Sequence, residues 1–148
     1  MEFKKVDCES DEFIEMCHKL EDFQYDLMPE LMAQGYCLTE SLDEIEGFFL
    51  YDNGKLVGSI GLKEISDESC EIVRVFVNEE FRGQGYSKVL FEKIEDYAKS
   101  KGYKKAEMVA WTKAVAAVNL YKKLGYLCSE PKFSEWFGYE YVEFEKIL

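Results

Sequence analysis

Apolar positions recur at helical spacing from Phe13 onward: Phe13, Ile14, Cys17, Leu20, Phe23, Leu27 and Leu31 share one face of a 3.6-residue period. Ser10 stands where an N-cap belongs, and Pro29 interrupts the pattern. The spacing therefore predicts helix over residues 11–34, split in two or kinked at the proline. A short strand over 3–7 precedes it. Residues 48–51 and 56–62 form two apolar runs around Asp52-Asn53-Gly54-Lys55, which reads as a hairpin. After a turn at Ser66-Asp67-Glu68-Ser69, the run CEIVRVFV (70–77) is β-branched and mostly apolar, as a central strand is. Leu90, Phe91, Ile94, Tyr97 and Ala98 then mark a helix over 87–101, with Gly102 as its stop signal. A strand over 105–111, a helix over 114–124 closed by Gly125, and strands over 126–128 and 139–147 complete the chain.

The order is β-α-α-β-β-β-α-β-α-β-β. Its middle β-α-β is a parallel crossover unit, right-handed in nearly all proteins, and the flanking hairpins are antiparallel. The expected fold class is therefore α/β with a mixed sheet between helices, and 148 residues without repeats or a Pro/Gly/Ser linker suit a single domain over 1–148. If the strand over 70–77 is regular, Arg74 points to the opposite face from Glu71.

Composition narrows the function classes. The chain is 47% hydrophobic and 16% aromatic, as expected of a packed core, and no run approaches a membrane span. The N-terminus MEFKKVDCESDEF lacks the basic and apolar regions of a secretory signal, so a soluble cytoplasmic protein is expected. Five scattered cysteines without a C-x-x-C pair, and a single histidine, His18, argue against a metal site and against a nucleophile–histidine pair. His18 sits in the charged stretch EMCHKLED and reads as a surface residue. A net charge of −12 disfavours nucleic acid. The charge is lopsided: residues 1–70 hold 5 Lys+Arg against 18 Asp+Glu, whereas 71–148 hold 13 against 12. A solvated acidic face explains this, and attraction of a cationic substrate is the sharper reading.

The chemistry concentrates at Arg82-Gly83-Gln84-Gly85-Tyr86-Ser87, between the strand over 70–77 and the next helix. Free N–H groups and the positive dipole end at a helix start favour an anion, and glycines let the backbone approach it. The P-loop pattern G-x-x-x-x-G-K-[ST] is absent, and a dinucleotide fingerprint lacks its third glycine. Taken alone, the segment suits either a tight turn or an anion-binding loop.

With the preceding strand, this segment resembles the central motif of the GNAT (GCN5-related N-acetyltransferase) superfamily, R/Q-x-x-G-x-G/A. Arg82, Gly85 and Ser87 occupy its defined positions, and Ser87 departs from the usual Gly or Ala. About 35 residues downstream, Asn119-Leu120-Tyr121-Lys122-Lys123-Leu124-Gly125-Tyr126 resembles the superfamily's N-x-Y-x-K-x-G-F/Y element. The resemblance covers roughly residues 46–148. It implies a three-layer αβα fold whose mixed, mostly antiparallel sheet contains a parallel pair splayed by a bulge, here 70–77 and 105–111. It implies acetyl-CoA as acyl donor: the pyrophosphate on the N–H groups of Gly83, Gln84, Gly85, Tyr86 and Ser87, the charge of Arg82 beside it, the pantetheine arm along Val75, Phe76 and Val77, and Asn119 bonding the arm. Tyr121 takes the position of the general acid that protonates the CoA sulfur. Glu71 is the candidate base, with an ordinary strand-end carboxylate as the alternative. A backbone N–H near Phe76 or Val77 is the oxyanion donor. The acceptor wall would come from the first two helices and the last hairpin, through Tyr25, Asp26, Glu30, Glu135, Trp136, Tyr139 and Tyr141. A primary amine, on a small molecule or a protein, is the expected acceptor, with a homodimer as a further expectation. The alternative functions are a non-catalytic acyl-CoA-binding module on the same fold, and a structural turn with no cofactor.

Overall fold

A computed structural model describes residues 1–148. Strand β1 (Glu2–Val6) leads into helix α1 (Asp11–Leu27), which begins where the Phe13 amide donates to Ser10 Oγ at 3.3 Å. Pro29 separates α1 from the one-turn helix α2 (Glu30–Ala33), because proline has no N–H to continue the ladder. Strands β2 (Ile45–Asp52) and β3 (Lys55–Glu64) are joined by Asn53 and Gly54. Both residues lie at positive φ, 52° and 75°, as a two-residue hairpin turn requires. Strand β4 (Ser69–Val77), helix α3 (Tyr86–Ser100), strand β5 (Lys105–Trp111) and helix α4 (Val115–Lys123) follow within a residue or two of the predicted limits. The chain ends in β6 (Leu127–Cys128), β7 (Lys132–Ser134) and β8 (Tyr139–Ile147). Periodicity did not reveal β7, since three residues are too few to display a period.

All eight strands form one sheet in the order β1-β2-β3-β4-β5-β8-β6, with β7 also alongside β8. Only the β4–β5 pairing is parallel. Helices α3 and α4 cover one face, burying Leu90, Phe91 and Ile94 against Leu50, Ile60 and Phe144. Helix α1 covers the other, burying Phe13, Met16 and Cys17 against Phe49 and Phe76. Each such fully buried side chain contributes about 1.5–3 kcal/mol before the entropy of ordering is subtracted. The three-layer αβα architecture with its parallel central pair is the one expected.

Two irregularities shape the centre of the sheet. The first is a splay: β4 and β5 pair only through Ser69–Glu71 and Lys105–Glu107, then separate toward their C-terminal ends. The second is a β-bulge. Phe76 pairs with Ser59 and Val73 with Gly61, so Arg74 and Val75 together oppose Ile60. Arg74 takes φ of 56°, in the left-handed region. Val73 and Phe76 consequently both pack on the α1 side, while Val75 packs on the α3 side. The expectation that Arg74 faces away from Glu71 assumed a regular strand and is overturned: Arg74 reaches the Leu38 carbonyl on the α1 side, and its charge acts on the Glu71 carboxyl.

Glycine on β3 permits this close approach. A Cβ at Gly58 would lie 2.4 Å from the Phe76 carbonyl oxygen and 3.2 Å from Val77 Cα. Both are backbone atoms that cannot swing aside. Gly58→Ala is expected to lower stability by about 1–3 kcal/mol, the usual cost of overpacking. Urea melts check this, and an unchanged midpoint would mean that β4 yields freely.

Candidate active site

The splay opens a cleft of about 820 Å³, within the range of small-molecule sites. The residues of β4 from Glu71 to Val77 form one wall, and those of β5 from Met108 to Trp111 with α4 form the other. Leu20, Phe23, Gln24 and Leu27 of α1 close it from above.

At the cleft's outer end lies the start of α3. Gly83 and Gly85 adopt φ of 75° and 84°, a conformation that costs other residues about 1–2 kcal/mol. Added Cβ atoms at either glycine meet nothing within 4 Å. The N–H groups of Gly83, Gln84 and Gly85 have no protein acceptor. Neighbouring side chains turn elsewhere: Gln84 Nε2 donates to the Glu80 carbonyl at 3.2 Å, and the Tyr86 hydroxyl donates to the Asp52 carboxylate. Ser87, in the first turn of α3, lines the cleft. The loop thus presents a row of unpaired donors at a helix N-terminus, the arrangement that binds phosphate.

Arg82 is placed differently from the simple expectation of a charge beside the loop. Its Nε donates to the Val77 carbonyl at 3.0 Å, and its guanidinium lies 5.2 Å from the Phe23 ring and 5.0 Å from the Phe76 ring. It therefore ties the end of β4 to α1 and stands at the cleft entrance.

Along β4, the Asn78 N–H turns back to the Val57 carbonyl at 2.8 Å. Successive peptide groups of an extended strand point to opposite edges, so the Val77 N–H faces the splay. Beyond Glu71 that edge of the strand has no partner. Val75, Phe76 and Val77 thus offer a free strand edge and a directed N–H.

Glu71 sits at the apex of the splay, beside Glu107 in the parallel register and opposite Lys63 of β3. Burial raises its carboxyl above the usual range, Lys63 and Arg74 oppose the shift, and Glu107 adds to it. Tyr121 lines the inner wall, its ring packed 5.4 Å from Phe91 and 5.5 Å from Phe144. Burial alone pushes its phenol up to about 12, so it is protonated at neutral pH. Asn119, on the exposed side of α4, makes no hydrogen bond to the protein and does not line the cleft. Cys70 is fully buried, its thiol pushed up to about 11 by desolvation, in the core beneath α3. It is no nucleophile for this cleft.

The cleft lining differs from the expected acceptor wall. None of Tyr25, Asp26, Glu30, Glu135, Trp136, Tyr139 or Tyr141 lines the cleft. Several are occupied with one another's segments: the Tyr25 hydroxyl donates to the Tyr36 carbonyl, the Tyr139 hydroxyl to Glu30, and Trp136 Nε1 to the Gln34 carbonyl. Their place is taken by Leu20, Phe23, Gln24, Leu27, Tyr36 and Trp111. The signal was present in the α1 stripe, where Leu20, Phe23 and Leu27 continue the core-facing period past the point where the sheet lies beneath it. His18, as expected, is a surface residue, with Nδ1 2.7 Å from Glu21 Oε1. No helix is long and apolar enough to cross a membrane.

Comparison with known proteins agrees with this geometry. The model of the acetyltransferase (GNAT) family matches residues 11–126. An uncharacterized N-acetyltransferase of Methanocaldococcus jannaschii is 34% identical over 88 residues, covering 55% of this chain and 39% of that protein. The chain thus matches less than half the length of that relative. Among solved structures, a GNAT family acetyltransferase from Elizabethkingia anophelis with acetyl-CoA bound superposes with a TM-score of 0.69 at 20% identity, over 99% of this chain and 97% of that one. An aminoglycoside 6'-N-acetyltransferase complexed with coenzyme A superposes with a TM-score of 0.72 at 14% identity, over 99% and 97%. These two establish likeness of fold.

Proposed function

Because the chain belongs to the GNAT acetyltransferase family, we propose that it transfers the acetyl group of acetyl-CoA directly to a primary amine. One observation carries the reading: the β4–β5 splay joins the unpaired N–H groups before α3 to a cleft containing Glu71 and Tyr121. The loop from Gly83 to Ser87 takes the pyrophosphate, and the free edge of Val75, Phe76 and Val77 pairs with the pantetheine amides in the manner of an added strand. Asn119 bonds the arm from its exposed position on α4.

The chemistry follows from the charges that develop. Glu71 takes a proton from the incoming ammonium, directly or through water, and the neutral nitrogen attacks the thioester carbonyl. The N–C bond forms, and the Val77 N–H stabilises the oxyanion. On collapse the C–S bond breaks, the thiolate takes the Tyr121 proton, and the amide nitrogen's remaining proton returns to the phenolate. A phenol near 12 is a weak acid toward a solvated thiolate. Desolvation at the apolar wall raises the basicity of the departing thiolate, which favours transfer of the Tyr121 proton.

The test is an incubation with acetyl-CoA and a varied set of amines and peptides, read by mass for a gain of one acetyl group with equimolar free thiol. A product acetylated on nitrogen supports the reading; labelled acetyl trapped on the protein instead would overturn direct transfer.

Glu71→Gln separates function from stability. The raised carboxyl means that the folded state holds its proton more tightly than the unfolded chain does. Stability contributed by that proton is full below the unfolded carboxyl pKa and lost as pH rises through the higher folded value. Removing the charge should leave the melting temperature at pH 7 unchanged or raised. kcat/KM should fall by about 10²-fold, and its acid limb, set above the ordinary carboxylate range in the parent, should disappear. An unaltered pH profile would remove Glu71 as the base.

A further inference from the structure

Arg74 brings a positive charge to the cleft without forming a salt bridge. The chain has 30 Asp and Glu residues and two arginines, yet every ion pair is made by a lysine or by His18. Arg82 is accounted for by Val77 and its two aromatic neighbours. Arg74 forms no salt bridge: its Nε donates to the Leu38 carbonyl at 2.9 Å, its guanidinium also reaches the Cys17 thiol, and its charge acts on the Glu71 carboxyl. Arg74 is half-buried and is turned toward Glu71 by a strained backbone at φ 56°. A polar group nearby is unmatched: Gln24 Oε1 is buried without a hydrogen-bond partner, in a residue that lines the same cleft. Around them the wall is apolar, formed by Leu20, Phe23, Leu27 and Trp111.

We propose that the acceptor is a small amino-carboxylate with an apolar side group, a hydrophobic amino acid, whose carboxylate is held by the Arg74 guanidinium. The inference rests on the acetyltransferase reading and names the substrate class of that site. Its ammonium lies between Glu71, which takes the proton, and Gln24 Oε1, which accepts a second N–H. Its side group packs against Phe23, Leu27 and Trp111. A planar guanidinium matches a carboxylate, and an amine lacking the carboxylate leaves that charge without an ion pair.

The test compares phenylalanine with phenethylamine, which differ only by the carboxylate, as acceptors for the intact protein. Expected is a kcat/KM at least about 10-fold higher for phenylalanine, carried mainly by KM, the size of one or two hydrogen bonds to a charged group. In Arg74→Gln the ratio falls to about 1 while the KM for acetyl-CoA stays within about twofold. Arg74→Lys, which keeps the charge and loses the fork, retains part of the preference and serves alone if the Gln variant does not fold. Thermal shifts in saturating CoA separate the two levels of inference. Stabilisation by phenylalanine and not by phenethylamine, without turnover of either, supports the carboxylate site and counts against the enzyme. Equal or better turnover of phenethylamine overturns the carboxylate site and leaves the enzyme standing. If phenylalanine neither binds nor reacts, the proposal falls.

Discussion

Tyr121→Phe is expected to lower kcat by on the order of 10²-fold while leaving CoA affinity nearly unchanged. The reason lies in how the residue is held. Its ring is fixed between Phe91 and Phe144, contacts that phenylalanine keeps, and its hydroxyl makes no bond to the protein. Nothing structural is lost with the oxygen, so the melting temperature should be the same or slightly higher. What is lost is the proton for the departing thiolate, which then leaves uncompensated at an apolar wall. Steady-state kinetics with a CoA titration by calorimetry checks both halves. A variant turning over at the parental rate would assign the ring to packing alone.

Gly85→Glu should weaken CoA binding by on the order of 10²-fold, about 2.7 kcal/mol. Two costs add. Gly85 sits at φ 84°, where a side chain is strained by about 1–2 kcal/mol, and the new carboxylate projects into the space where the pyrophosphate would lie. Because an added Cβ meets nothing in the protein, the fold should survive. Gly85→Ala carries the backbone strain without the charge and should lose much less affinity. If the glutamate variant binds CoA as the parent does, the loop is not the pyrophosphate site.

Much of this architecture is written locally in the chain. Pro29 ends α1, Asn53-Gly54 turns the first hairpin, and Gly85 and Gly102 bracket α3, because each needs only its own backbone preference to act. The anion loop was legible for the same reason: two glycines, a strand before them and a helix after. A bulge was implied by the resemblance, but its position at Arg74 was not legible: its requirements lie across the sheet, in Gly58 and Gly61 of β3, and nothing within CEIVRVFV marks the residue. That hidden residue decides which side chains share the cleft, bringing Arg74 beside Glu71. The residues expected at the acceptor wall lie off the cleft for a related reason. Tyr25, Asp26 and Glu30 have the chemistry of an amine site, but helix phase turns Phe23, Gln24 and Leu27 toward the cleft instead. The three residues of β7 and the placement of β8 beside β5 depend on pairing between distant segments, which local periodicity does not encode.

The central claim is that the cleft both holds acetyl-CoA and spends it on an amine. Its most direct test follows thiol release from acetyl-CoA in the presence and absence of amines, beside the melting temperature with and without CoA. At a ligand concentration of 100 Kd, binding should stabilise the fold by about 2.7 kcal/mol. Expected is that stabilisation together with thiol release that depends on, and saturates with, a primary amine. Stabilisation by CoA with thiol release no faster than hydrolysis for every amine tried would contradict it, and would make the protein a binder of acyl-CoA rather than an acetyltransferase.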